Sequence, residues 1–149
     1  MLFRSPDVPV VGFSGDGAFG IAVNELTAIG RGDWPAVTQI VFRNYQWGAE
    51  KRNTTLWYQD NFVGTELNYE VSYAGIAEAC NLKGVVARTM EDLTAALNQA
   101  IKDQMENGVT TLIEAMINQE LGEPFRRDAM TAPVAVAGID AKDMRPQQV

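Results

Sequence analysis

Apolar residues along this chain come in short continuous runs that alternate with stretches of helical period. Val8 to Phe13 is an apolar run ending in small residues and predicts a buried strand. Phe19, Ala22, Val23, Leu26 and Ile29 recur at helical spacing until Gly30-Arg31-Gly32 stops the pattern. Trp34-Pro35 turns the chain, and Val37 to Phe42 predicts a second strand. The stretch 43–67 mixes polar and aromatic residues without a period and reads as a loop. Val71 to Cys80 then predicts a helix and Gly84 to Ala87 a short strand. Thr89 with Asp92 three residues on has the form of a capping box, opening a helix with Leu93, Ala96, Leu97, Ala100 and Ile101 on one face. Gly108 ends that helix, and Val109 to Ile117 predicts the last strand. From Asn118 onward the chain holds three of its six prolines and no periodic pattern. The expected division is therefore a globular domain at 1–117 and an extended tail at 118–149.

Strands alternating with helices predict a doubly wound α/β domain, a mostly parallel sheet with helices on both faces. In such sheets ligands bind beyond the carboxyl ends of the strands. The loops that start at Ser14, Arg43 and Asn118 consequently form the expected functional edge.

Composition narrows the chemistry available at that edge. At 149 residues the chain can bury one core, and 46% apolar with 21% charged residues is ordinary for a globular domain. No apolar run reaches the roughly 18–20 residues of a membrane span, and no signal-peptide pattern is present, so the expected compartment is the cytoplasm. A net charge of -7 disfavours nucleic acid and anionic membranes as partners. The single cysteine, Cys80, excludes an internal disulfide and reads as an inert thiol in an apolar helix. The chain has no histidine, which removes Ser-His-Asp triads, Cys-His pairs and histidine-rich zinc sites. Any metal held here should be a hard cation with oxygen ligands.

Ser14-Gly15-Asp16-Gly17-Ala18-Phe19 joins the first strand to the first helix. Its glycines allow a sharp turn and close approach of a ligand to the backbone, and a helix start suits a phosphate. Asp16 would repel a bare phosphate, so its presence makes sense if a divalent cation lies between the two. By itself Gly-Asp-Gly more often marks only a tight turn. Asn44, however, stands 28 positions after Asp16, directly after the next strand. A right-handed crossover brings both loop starts to one edge, where a carboxylate, an amide oxygen and a nearby carbonyl can converge on magnesium.

Gly15-Asp16-Gly17, followed after 26 residues by Asn44, resembles the signature of the thiamine diphosphate enzymes. That signature usually ends in two asparagines, and this chain has Arg43-Asn44 instead. The family's metal-ligating asparagine is the second of the pair, the position of Asn44. The resemblance implies a Mg2+ ion held by Asp16, Asn44 and the backbone carbonyl of Gln46. It also implies thiamine diphosphate contacts from Gly15, Asp16, Gly17, Ala18, Phe19, Asn44, Gln46, Trp47 and Gly48. Trp47-Gly48 is similar to the step that follows the asparagines in acetolactate-synthase-like members.

A narrower similarity, to the sulfoacetaldehyde acetyltransferase branch, rests on three segments. They are Asn24 to Gly30, Arg43 to Asn53, and Leu121 to Ala129. It implies cleavage of a carbon–sulfur bond, turning sulfoacetaldehyde and phosphate into acetyl phosphate and sulfite. The alternatives are a carboligase or decarboxylase with the same cofactor site, and a non-catalytic diphosphate-binding module. By the same resemblance the catalytic glutamate belongs to a pyrimidine-binding domain that normally precedes this one and faces it across a subunit interface. No catalytic residue is expected within this chain, which should be inactive alone, part of a homo-oligomeric enzyme and a piece of a longer protein, since Met1 to Ser5 abut the first motif strand.

Several residues admit a plainer reading. Arg126 and Arg127 in the tail, and Lys51 and Arg52 after Trp47-Gly48, read first as solvated cations and second as anchors for sulfonate or phosphate. Trp57 and Tyr58 read as packing or interface residues, and Glu25 as a polar-face residue.

Overall fold

The computed structural model describes residues 7–57 and 61–120, with the side chains of 55–57 excepted. Two compact units emerge: residues 1–45 with 68–118, and residues 46–67 with 119–149. Arg126, Arg127, Tyr58, the Trp57 side chain, the Leu121 to Ala129 segment and Met1 to Ser5 lie outside the described residues.

Among the described residues the strands all lie in the first unit: β1 (Val11–Gly15), β2 (Thr38–Arg43), β3 (Lys83–Ala87) and β4 (Thr111–Met116). They form one parallel sheet in the order β1-β2-β4-β3. Its helices are α1 (Asp16–Ile21), α2 (Leu26–Ile29), α4 (Tyr73–Ala79) and α5 (Met90–Asn107). The strand period of two divides the core between the two faces. Val41 and Leu112 pack with Leu26, Tyr73 and Ala77 on one side. Ile40, Ile113 and Ala115 pack with Ala87 and Ala100 on the other. Helices therefore cover both faces, as the alternating pattern predicts.

The local signals account for most boundaries. The Asp92 amide donates to Thr89 Oγ1 at 3.0 Å and the Thr89 amide donates to Asp92 Oδ2 at 3.1 Å, which completes the capping box of α5. Gly108 closes that helix in the left-handed region at φ 64°, where a side chain would be strained. Ser72 caps α4 by accepting from the Gly75 amide at 3.1 Å. Gly84 lets α4 lie directly on β3, since a Cβ there would stand 2.2 Å from the Ala74 carbonyl oxygen.

The strand expected to be buried at Val8 to Phe13 is the edge strand β1, which has no buried residue and leaves Phe13 74% exposed. Two further expectations need correction. The single helix read from Phe19 to Ile29 is three pieces: α1, a 3-10 turn at Val23–Glu25, and α2. The chain leaves helical geometry at Ala22 (φ -111°, ψ 18°). Val23, Leu26 and Ile29 still face the core because their spacing of three also suits a 3-10 turn.

The second correction is in the 43–67 stretch, which is not all loop. The second unit contains α3, Gly48–Trp57. Gly48 to Thr55 offers no apolar stripe, so period alone does not reveal a helix there. Within this unit the Trp47 amide donates to the Thr65 carbonyl at 2.8 Å, and Gln46 bridges antiparallel to Glu66.

Candidate functional site

β1 runs straight into α1, so Asp16 opens the helix at the carboxyl end of the strand. Its carboxylate is buried, at 2% exposure. Oδ1 accepts from the Gly17 amide at 2.9 Å and Oδ2 from the Tyr45 amide at 2.7 Å. That second bond joins the loop after β1 to the loop after β2, the two loops that the sequence places on one edge. Asn44, half-buried, is the residue between the end of β2 and Tyr45. Tyr45 itself sits at φ 61°, an uncommon conformation for a large residue. Strained backbone of this kind persists only where its surroundings hold it, here a hydrogen bond to a buried carboxylate.

Among the described residues, no lysine or arginine forms an ion pair with Asp16. A buried anion with amide donors and no protein counter-ion is costly unless a cation completes it. Each oxygen keeps a lone pair after its amide bond, so the group suits a hard cation taking oxygen ligands. No cluster of three or more His, Cys, Asp or Glu able to hold a metal occurs among the described residues. A site at Asp16 thus depends on amide and carbonyl oxygens for its remaining protein ligands. The residues present fit Mg2+ shared with a diphosphate, which brings oxygens of its own.

The other sequence candidates fall as follows. Gly15 and Ala18 are exposed beside Asp16, whereas Gly17 is buried with it. Phe19 turns to the core and stands edge-on to Tyr73, with ring centroids 5.3 Å apart. Gln46, Trp47 and Gly48 belong to the second unit. There the Gln46 side chain donates to the Gln119 carbonyl at 2.9 Å and accepts from Lys51 Nζ at 3.1 Å. Lys51 also pairs with Glu66, which gives it a structural partner. Glu25 is exposed.

The structure adds a group that pattern reading does not single out. Arg43 and Glu114 form a buried ion pair, Nε to Oε1 3.1 Å, on neighbouring strands β2 and β4. Glu114 Oε2 also accepts from Ser72 Oγ at 2.8 Å and from the Ala74 amide at 3.0 Å. Tyr73, between those two residues, donates its hydroxyl to the Asp16 carbonyl at 3.0 Å. Burial first, and then the Asp16 charge, raises the Tyr73 phenol above its ordinary value, with Arg43 opposing them. The hydroxyl is therefore a neutral donor at neutral pH. A signal existed in the sequence: one arginine and one glutamate, each within or ending an otherwise apolar strand, in strands expected to be buried.

Comparison with known proteins gives the family. Residues 1–115 match the family model of the thiamine pyrophosphate enzyme, C-terminal TPP binding domain (thiamine pyrophosphate being thiamine diphosphate). The chain is 83% identical over 144 residues to a sulfoacetaldehyde acetyltransferase of Roseovarius nubinhibens, covering 97% of this chain and 24% of the relative. It is 78% identical over 142 residues to that of Rhodobacter capsulatus, covering 95% and 24%. The chain thus spans about a quarter of the length of these relatives. Among solved structures, benzoylformate decarboxylase from Polynucleobacter necessarius superposes with a TM-score of 0.64 at 22% identity, covering 80% of this chain and 22% of that one. That likeness concerns the fold. The fold, the Gly15-Asp16-Gly17 to Asn44 spacing and the matched residues agree, and this chain belongs to the thiamine pyrophosphate enzyme family as its C-terminal TPP-binding domain.

Proposed function

We propose that this domain holds the Mg2+–diphosphate end of thiamine diphosphate within a sulfoacetaldehyde acetyltransferase, which converts sulfoacetaldehyde and phosphate into acetyl phosphate and sulfite. The observation that carries the cofactor reading is Asp16: a buried carboxylate at a strand's carboxyl end, tied to the Asn44–Tyr45 loop and lacking a protein cation among the described residues. The substrate reading is supported by the 83% and 78% identities to acetyltransferases of that name.

When bound, the cofactor supplies a carbon nucleophile and an electron sink suited to breaking a carbon–sulfur bond. Asp16, Asn44 and the backbone carbonyl of Gln46 would hold the metal. Gly15, Gly17, Ala18, Phe19, Trp47 and Gly48 would line the cofactor, with the glycines leaving room for close approach. Residues 1–117 form the binding domain in this reading, and 118–149 its tail. The glutamate that activates the cofactor comes from a pyrimidine-binding domain, met across the interface of a homo-oligomer in the cytoplasm. Among the described residues no helix is long and apolar enough to cross a membrane.

Calorimetric titration of thiamine diphosphate with and without Mg2+ tests the site. Asp16→Ala and Asn44→Ala should each lose at least the roughly 10–100-fold of metal affinity typical of disturbing even a supporting partner. Unchanged metal-dependent affinity in both variants would remove these residues from the site. In an enzyme carrying this domain with a pyrimidine-binding domain, phosphate-dependent sulfite release distinguishes the acetyltransferase from a carboligase.

A further inference from the structure

Asp16 lies between two glycines, and neither neighbour restricts its backbone. Besides the local Gly17 amide bond and the start of α1, the structure supplies two restraints from outside the local chain. The Tyr45 amide holds the carboxylate at 2.7 Å, and the Tyr73 hydroxyl holds the carbonyl at 3.0 Å. Both tyrosine rings flank one guanidinium: Arg43 lies 4.5 Å from the Tyr45 centroid and 4.9 Å from that of Tyr73. Arg43 is itself fixed by Glu114 at 3.1 Å and by the Asn68 carbonyl at 3.0 Å. Glu114 in turn binds the residues on either side of Tyr73. The contacts close into a ring that begins and ends at Asp16.

Gly20 gives independent support. A Cβ at that position would stand 2.8 Å from the Tyr73 hydroxyl oxygen. Bare backbone at 20 therefore gives the hydroxyl a clear path to α1, although a helix interior ordinarily favours alanine over glycine.

We propose that Tyr73 is a positioning residue for the metal-binding carboxylate: its hydrogen bond to the Asp16 carbonyl, with its ring seated by Arg43 and Glu114, sets how Asp16 faces the metal. The proposal rests on the reading of Asp16 as a ligand. It also accounts for Arg43 at the position where the family signature has its first asparagine, since the guanidinium links the two tyrosines that hold Asp16.

The test uses the whole chain and the variants Tyr73→Phe, Gly20→Ala, Gly20→Ala/Tyr73→Phe and Asp16→Ala. Three quantities are read: the Mg2+ dependence of thiamine diphosphate affinity, hydrogen exchange at the Tyr45 amide without ligand, and the urea midpoint. Tyr73→Phe and Gly20→Ala should each weaken the apparent Mg2+ affinity about 10-fold, as loss of a supporting contact does, and speed exchange at Tyr45. The double variant should be no worse than Tyr73→Phe, because the Cβ clash disappears with the hydroxyl. A role in stability alone would move the urea midpoint and leave the Mg2+ dependence and the Tyr45 exchange untouched; that result overturns the proposal. Loss of Mg2+ dependence in Asp16→Ala with unchanged values in Tyr73→Phe overturns the positioning role alone. Equal Mg2+ dependence in the unaltered chain and Asp16→Ala sinks the reading of Asp16, and the proposal with it.

Discussion

Replacing Arg43 by methionine tests whether the pair under the site is held as tightly as its geometry implies. Arg43 and Glu114 are 2% and 3% exposed, so neither charge can turn to water when its partner is removed. Breaking one side of such a pair costs about 3–5 kcal/mol, mostly from the charge left behind. For a chain of this size that corresponds to a fall in Tm of roughly 6–20 °C. Glu114→Gln should cost less, because an amide oxygen can still accept from the Ala74 amide and Ser72. The double variant Arg43→Met/Glu114→Gln carries no stranded charge, so it should be more stable than the sum of the singles, by a coupling of about 2–3 kcal/mol. Urea unfolding at unchanged slope measures all four corners of the cycle. A loss below about 1 kcal/mol for Arg43→Met, or singles that add within about 0.5 kcal/mol, would show the pair to be far better solvated than this reasoning requires.

Two other predictions concern the scaffold. Gly84→Ala should destabilise by about 1–3 kcal/mol through overpacking against the Ala74 carbonyl, and a neutral urea midpoint would mean that α4 and β3 separate at little cost. The Asp92 carboxyl is held below its ordinary 3.8 by the Arg88 amide first and by Thr89 next. Its folded value is thus lower than its unfolded one, so its contribution is complete above about pH 4 and fades as pH falls through the folded value. The stability gap between the unaltered chain and Asp92→Ala should therefore narrow on acidification from pH 6 to pH 3, and a constant gap would contradict the capping box.

The pattern of apolar residues was sufficient for the sheet, because parallel strands read as continuous apolar runs, although only the central strands β2 and β4 are largely buried. It was sufficient for α5 as well, where a capping box, one apolar face and a terminal glycine all agree. It failed in two places for different reasons. α3 lacks an apolar stripe of its own, so nothing in residues 48–57 marks a helix. The first helix breaks at Ala22 although the apolar period continues, since spacing of three and spacing of four both keep residues on a core-facing side.

The site was legible in part. Glycines flanking an aspartate after a strand, and an asparagine after the next, place two oxygen-bearing residues on one edge through topology alone. What holds Asp16 was not legible, because Tyr73 and Glu114 are 57 and 98 positions away and carry no motif. Arg43 departs from the family pattern, which usually has an asparagine beside the expected metal ligand. Its surroundings give it a different role. A guanidinium is flat and carries several donors, and here it lies over the Tyr45 and Tyr73 rings while Nη2 donates to the Asn68 carbonyl and Nε stands 3.1 Å from Glu114, an ion contact without hydrogen-bond geometry. A lysine would keep the charge but lose the broad, flat group that reaches both rings at once. By this reasoning Arg43→Lys should keep most of the ion-pair stability and still loosen the Tyr45 amide from Asp16. Wild-type exchange rates at that amide in Arg43→Lys would show that charge alone is enough.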